Sequence, residues 1–452
     1  MIERSGETPT VPRRGESVAT KLLRIAKKAR REPKFQFTSL FHLMNVELLR
    51  GCFERLRKDA AAGIDGVTKA MYADGLEERL TELVERLQRM AYIPEPVRRR
   101  YIPKPGTGKQ RPLGVPTLEG KLVEAGLVRI LETIYENDFI EDSYGFRPGK
   151  SCHDALRALS QTVEKGQINW IVEADIKGFF DHVDHDWLRK FLAHRIGDRR
   201  VLRTIKRFLK AGVVEDGRLE ISDQGTPQGG CASPLLANVY LHYVLDLWFV
   251  RRFLKSCTGV ARLIRYCDDF VVCFEKEVDA RRFRAELMER LAQFSLEVEP
   301  SKTKVLAFGP RAAARAKAQG RRKPETFDFL GFTHYCSRSR NGRRFRMKRV
   351  TARKRFRAKL AALKTWLRSV RSTTKTRELW EAFCVKLRGH YAYYGVTDNS
   401  PALARFLYAA RRLLRKWLNR RGGKRRLTWE KFALMEQRFP LPKPRITVNL
   451  LW

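Results

Sequence analysis

Tyr266-Cys267-Asp268-Asp269 sits between two apolar runs, Leu263-Ile264 before it and Phe270-Val271-Val272-Cys273-Phe274 after it. β-branched and aromatic residues on both sides of a short polar break predict strand, turn, strand. Two neighbouring carboxylates at such a turn repel each other and raise each other's pKa unless a cation lies between them. A hard divalent ion that keeps water and takes phosphate oxygens is the natural cation. An isolated Asp-Asp is an ordinary turn pair, but here a third aspartate has the same kind of setting. Asp175 ends the run Trp170-Ile171-Val172-Glu173-Ala174 and is followed at once by Ile176-Lys177-Gly178-Phe179-Phe180. An acid at a strand end followed by Gly and aromatics belongs at the rim of a sheet. Three carboxylates on two neighbouring strand ends form a donor set for two metal ions about 4 Å apart, the spacing used for in-line phosphoryl displacement.

Charge agrees with a polyanionic substrate. Lys plus Arg number 92 against 50 Asp plus Glu, a formal net charge of +42 over 452 residues. Such a field steers and holds nucleic acid, mostly through phosphates. Between Asp328 and Glu378 there is no acidic residue but there are seventeen Lys or Arg. Phe345, Phe356, Leu360, Leu363 and Trp366 recur through that run, so it reads as basic helices with an apolar face.

Other classes are set aside. The first fourteen residues lack an apolar signal region. The longest apolar stretch, residues 234–250, contains Asn238, His242 and Asp246 and reads as a buried helix instead of a membrane span. Eight scattered cysteines without a Cys-x-x-Cys pair fit reduced thiols and offer no zinc ribbon. Asp181-His182-Val183-Asp184-His185-Asp186 invites a metal reading, but Asp184 or Asp186 as the cap of a helix starting at Trp187 explains it.

Along the chain, residues 1–33 form a basic leader with a short helix over 18–29. Helices are expected over 38–60, 72–90 and 118–139. Residues 98–104 begin an extended basic segment, closed by Pro105-Gly106-Thr107-Gly108-Lys109. Residues 311–323 read as a surface loop, and the pattern from Arg343 onward as mostly helical. Gln224-Gly225-Thr226-Pro227-Gln228-Gly229-Gly230 precedes a long apolar helix. Its glycines allow close backbone approach, and Gln228 can hydrogen-bond a nucleotide or template.

In this order the blocks resemble bacterial group II intron reverse transcriptases over nearly the whole length. They are Gly63-Ile64-Asp65-Gly66-Val67, Tyr101-Ile102-Pro103-Lys104 with Arg111-Pro112-Leu113-Gly114, Tyr144-Gly145-Phe146-Arg147-Pro148, Asp175 to Phe180, Thr226-Pro227-Gln228-Gly229, Tyr266 to Asp269, Pro300-Ser301-Lys302-Thr303-Lys304, and Phe329-Leu330-Gly331-Phe332. Cys267 departs from the family's usual Tyr-Ala-Asp-Asp but keeps a small residue. The resemblance implies an α+β right-hand polymerase, with fingers and an antiparallel palm sheet over 34–340 and a helical thumb/maturase domain over 341–452.

It also implies roles. Asp175, Asp268 and Asp269, with the Ile176 carbonyl, would bind two Mg²⁺ ions. Lys104 and Arg111 would grip the deoxynucleoside triphosphate, where an Arg fork and a Lys point charge suit phosphate. Phe180 would be the bulky gate under the sugar, with Gln228 and Lys302 as further nucleotide contacts. Leu330, Gly331 and Phe332 resemble the primer grip. In the thumb, Arg343, Arg344, Arg353, Lys354, Arg388 and Tyr391 would contact RNA.

The implied partners are group II intron RNA, an RNA template with a DNA primer, and target DNA. The implied activity is RNA-directed DNA synthesis with assistance to splicing and mobility, in a bacterial, nucleoid-associated cytoplasmic setting, as monomer or homodimer. No His-Asn-His endonuclease motif occurs before Trp452, which matches the class lacking that domain. The Asn-Ala-x-x-His and Val-Thr-Gly blocks of retron enzymes are absent too, and Ser233-Pro234 stands where diversity-generating enzymes have Ser-Gln. A group II-like enzyme recruited to phage defence or CRISPR adaptation, and a splicing-only maturase, are the alternatives.

Overall fold

The computed structural model describes residues 16–103, 110–165, 167–221, 223–226, 229–339, 341–421 and 426–450. Lys104 and Gln228 lie outside the described residues. The chain divides into two compact units, one of 1–100, 112–140 and 178–243, the other of 101–111, 141–177 and 244–452.

The first unit is built around the helix Leu118–Tyr135, whose Leu122, Val123, Leu127, Ile130, Leu131 and Ile134 are all buried. Helices Val18–Arg31 and Val46–Arg55 pack against it. A four-stranded sheet runs in the order Gln110–Val115, Val97–Pro103, Val213–Glu215, Arg218–Glu220.

The helix expected over 38–60 is shorter. Buried Asp198 accepts the backbone N–H groups of Leu40 and Phe41, each at 2.8 Å, at the start of a short 3-10 turn, Phe41–Leu43, that stands apart from the α-helix. The helix then starts at Val46, where the Asn45 side chain accepts the Leu48 N–H. Residues 72–90 form two helices, Lys69–Ala73 and Leu76–Gln88, because Gly75 between them takes a positive φ of 68°.

The second unit contains an antiparallel sheet in the order Ala261–Tyr266, Asp269–Phe274, Trp170–Asp175, Lys304–Ala307. Both of its faces are covered. Ile171, Ile264, Val271 and Cys273 pack toward Leu156, Leu159 and Val163 of the helix Cys152–Glu164. On the other face, Phe274 meets Phe253 and Phe283. Burial on both sides explains why residues 270–274 form a continuous apolar run instead of alternating.

A second antiparallel sheet, Phe345–Thr351, Phe332–Arg338, Thr326–Phe329, leads into four helices. These are Arg353–Val370, Thr376–Tyr394, Ser400–Asn419 and Trp429–Arg438, which share one apolar core with the first sheet.

Mixed α and β structure with an antiparallel sheet and a helical C-terminal region is the expected class. Two further local expectations are corrected. Residues 311–323 contain a helix, Ala312–Ala318, because alanine favours helix and Ala312 and Ala316 are buried. The helical pattern begins at Arg353, not Arg343, because Phe345–Thr351 pairs along its whole length with Phe332–Arg338. Among the described residues no helix is long and apolar enough to cross a membrane.

Candidate active site

The strands Ala261–Tyr266 and Asp269–Phe274 are joined by the two-residue turn Cys267-Asp268, with Tyr266 paired to Asp269. Cys267 is buried and takes a left-handed backbone (φ 58°). On its other side Asp269 pairs with Asp175, the last residue of its strand. Paired residues of an antiparallel ladder share a face, so the register sets Asp175 beside Asp269 at one rim, with Asp268 next along the turn.

Ile176 follows in a bridge to Val298, flanked by Glu299 N–H donating to Asp175 O at 2.8 Å and Lys177 N–H donating to Glu297 O at 2.9 Å. Its neighbours make both flanking bonds, which leaves the Ile176 carbonyl on the opposite side of the strand, the side of the aspartate turn.

Two supports hold this turn, of which the first was missed from sequence. Arg265 and Asp246 are fully buried and form a bidentate pair, Nε to Oδ1 at 2.8 Å and Nη2 to Oδ2 at 2.5 Å. Arg265 Nη1 also donates to the Cys267 carbonyl at 3.0 Å, so the pair props the turn from below. The only sequence signal was polar residues interrupting apolar runs. The second support is the turn Leu330-Gly331, where both residues have positive φ (49° and 80°) as a tight hairpin requires. The Leu330 N–H reaches Asp269 Oδ2 at 3.4 Å, and Tyr393 Oη donates to Leu330 O at 2.9 Å. Phe332, buried, stacks on Tyr393. The three residues expected as a primer grip therefore touch the aspartate site directly at Leu330.

Electrostatics at the rim favour a cation. Crowding by protein pushes the Asp269 carboxyl up to about 7, and the Asp268 charge adds to the rise, although the residue keeps an edge open to solvent. Asp268 is raised mainly by burial and further by Asp175, while the Arg111 charge opposes the rise. Arg111, exposed on its strand, is thus within electrostatic reach of Asp268. Asp175 is ion-paired with Lys302, another residue expected at the site. Among the described residues no group of three or more His, Cys, Asp or Glu is arranged as a ready metal cage. Two crowded, mutually repelling carboxylates and a third that already holds a cation nonetheless have the chemistry of a Mg²⁺ donor set.

In the first unit, Phe180 is half-buried against Phe179 and lines a cavity of about 440 Å³ with Arg99, Pro112, Val213 and Thr226. The Thr226 N–H donates to Phe180 O at 2.8 Å, which ties the glycine-rich segment to this ring's backbone. Gly229 must be glycine: its φ is 120°, and a Cβ there would lie 2.4 Å from Gly114 O. Asp184, one of the two expected caps, accepts the Trp187 N–H at 2.9 Å, and the helix it caps, His185–Ala193, starts two residues earlier than expected.

Buried Glu124 accepts the Ala232 N–H at 3.2 Å beyond the same segment, and burial pushes its carboxyl up to about 7. A carboxyl with a folded pKa above its unfolded value of 4.5 stabilises fully below 4.5 and loses that contribution as pH rises through 7. Between pH 5 and 8, wild type should therefore lose about 2–3 kcal/mol relative to Glu124→Gln, measured by denaturant unfolding of both proteins. Parallel pH profiles would contradict this.

Of the residues expected to contact RNA, Arg343, Arg344, Arg353, Lys354 and Arg388 are exposed, whereas Tyr391 is buried in the helical core. Arg353 and Lys354 open a helix with no acidic residue in its first turn and no side-chain cap.

Residues 102–334, just over half of the chain, match the reverse transcriptase (RNA-dependent DNA polymerase) family. The chain belongs to that family. All three aspartates, Arg111, Phe180 and the Leu330-Gly331 turn fall inside the matched region of this reverse transcriptase family member. It is 40% identical over 232 residues to the group II intron-encoded protein LtrA of Lactococcus lactis subsp. cremoris, covering 50% of this chain and 38% of that protein. It is 39% identical over 207 residues to protein YkfC of Escherichia coli, covering 45% and 53%. A shorter match, 34% over 95 residues, is to nuclear intron maturase 1, mitochondrial, of Arabidopsis thaliana, covering 21% and 13%. The chain thus spans well under two thirds of the length of each of these relatives.

Proposed function

We propose that the protein is an RNA-directed DNA polymerase that copies group II intron RNA and assists its splicing and mobility. The observation that carries this reading is the junction of Asp175, Asp268 and Asp269 at one rim of the antiparallel sheet. Asp175, Asp268, Asp269 and the Ile176 carbonyl would hold two Mg²⁺ ions, which when bound supply charge stabilisation to the attacking 3′-hydroxyl and the leaving pyrophosphate. Arg111 and Lys104 bind the triphosphate, and Phe180 excludes a 2′-hydroxyl by size. Gln228 contacts the nucleotide and template, while Lys302 neutralises Asp175 when no metal does. Leu330, Gly331 and Phe332 hold the primer end. Primer extension on an RNA template with deoxynucleotides and Mg²⁺ tests this reading, and no extension under those conditions would refute it.

The names of LtrA and the Arabidopsis maturase support intron RNA as the partner. Exposed Arg343, Arg344, Arg353, Lys354 and Arg388 supply the phosphate contacts. Cations in the first turn of a helix oppose its dipole, and an RNA phosphate there satisfies both. Tyr391, buried on the helix Thr376–Tyr394, serves the helical core instead of touching RNA. With about 6–10 phosphate contacts, RNA affinity should fall roughly 10³–10⁵-fold between about 50 and 200 mM salt. A flat salt titration would argue against the basic thumb as the RNA surface.

A further inference from the structure

Phe146 is the only aromatic among the described residues with a positive φ, 54°. L residues with bulky side chains rarely adopt this region, and such outliers persist where the surroundings impose them. Burial does not account for it here, because the residue remains 55% exposed.

The surroundings that impose it are the aspartate turn itself. Tyr144 N–H donates to Arg265 O at 2.8 Å, which lays this segment along the strand leading into Tyr266. A Cβ on Gly145 would lie 2.4 Å from the Cys267 N, so only glycine allows the approach. The Phe146 ring sits 6.2 Å from the Tyr266 ring at 44°. Arg147, buried, donates to Ser143 O at 2.8 Å and closes the turn that presents the ring. The strained backbone therefore holds a large apolar ring in solvent next to Tyr266, the residue that leads into the aspartate turn.

We propose that Phe146 is a positioning residue, a platform whose exposed ring stacks on a base of the primer–template next to the polymerising end. The proposal rests on the polymerase reading: a primer–template brought to the aspartates would lie next to the turn that Phe146 flanks. Every base has a π-face, so the contact would be sequence-tolerant, and such stacks typically change affinity by a measurable step on removal.

The test measures affinity for a labelled DNA primer on an RNA template, steady-state extension, and Tm. Phe146→Ala should raise Kd about 5- to 140-fold, with the loss in KM for primer–template and a much smaller change in kcat. Phe146→Trp should retain wild-type affinity within about threefold. Phe146→Gly should lose affinity as the alanine variant does, yet melt no lower than it, because glycine accepts the positive φ. Wild-type affinity in Phe146→Ala, or a loss that only tracks a fall in Tm, overturns the platform. A wild-type chain that neither binds nor extends a primer–template overturns both the platform and the polymerase reading beneath it.

Discussion

Asp268→Asn is expected to lower primer extension on an RNA template by at least about 10³-fold, equivalent to ~4 kcal/mol of barrier. The substitution keeps the shape of the side chain and removes the charge that would hold a metal ion. RNA affinity should stay within about twofold, because the proposed phosphate contacts, Arg343, Arg344, Arg353, Lys354 and Arg388, do not include Asp268. Stability should not fall. Burial already raises the Asp268 carboxyl, so its ionised form is a cost to the folded state at neutral pH, and asparagine removes that cost. Extension assays, RNA-binding titrations and a melting curve on the same preparation separate these effects. Normal extension by the variant would remove Asp268 from the assigned site.

The second large effect concerns stability. Asp246→Ala leaves Arg265 charged, with no exposure to solvent, and deprived of its bidentate acceptor. Breaking a buried pair by removing one partner typically costs about 3–5 kcal/mol. Denaturant unfolding of the variant should show a loss of that order. The double variant Asp246→Leu with Arg265→Met should recover most of the stability, since buried pairs are often replaceable by apolar residues of similar size. It should not recover activity, because Arg265 also donates to the Cys267 carbonyl that shapes the aspartate turn. A double variant that is both stable and fully active would show that the ion pair is dispensable to the site.

Much of the palm-like sheet could be read in advance. The apolar runs on either side of Cys267-Asp268 and the run ending at Asp175 form strands with the expected ends. Their composition leaves few alternatives, because β-branched and aromatic residues buried on both faces favour a sheet interior. Helix ends were less legible. Residues 38–60 carry helical periodicity, but a carboxylate from Asp198, far along the chain, takes the N–H groups of Leu40 and Phe41. No local pattern announces such a bond. Phe345–Thr351 was hidden inside a basic run whose spacing suits a helix, and only its pairing with Phe332–Arg338 makes it a strand.

The candidate site divides in the same way. Asp175, Asp268, Asp269, Arg111, Lys302 and Leu330 were singled out from residue type, order and family resemblance. The described structure brings them into contact or electrostatic reach of one another. Arg265 and Asp246 carried no such signal, and Phe146 stood in a family block without a role of its own: a buried arginine, a buried aspartate and a loop aromatic look ordinary in one dimension.

By itself the sequence determined the chemistry available to this protein. It placed carboxylates at strand ends, set the excess of positive charge and ordered the blocks of a polymerase, because residue type and local periodicity are encoded where they occur. Tertiary structure alone decided which groups meet. Register set Asp175 opposite Asp269, a buried ion pair supported the Cys267-Asp268 turn, and a close approach at Gly145 held Phe146 in solvent next to Tyr266. Those outcomes depend on contacts between residues tens to more than a hundred positions apart, and their energies exist only once the chain has brought them together.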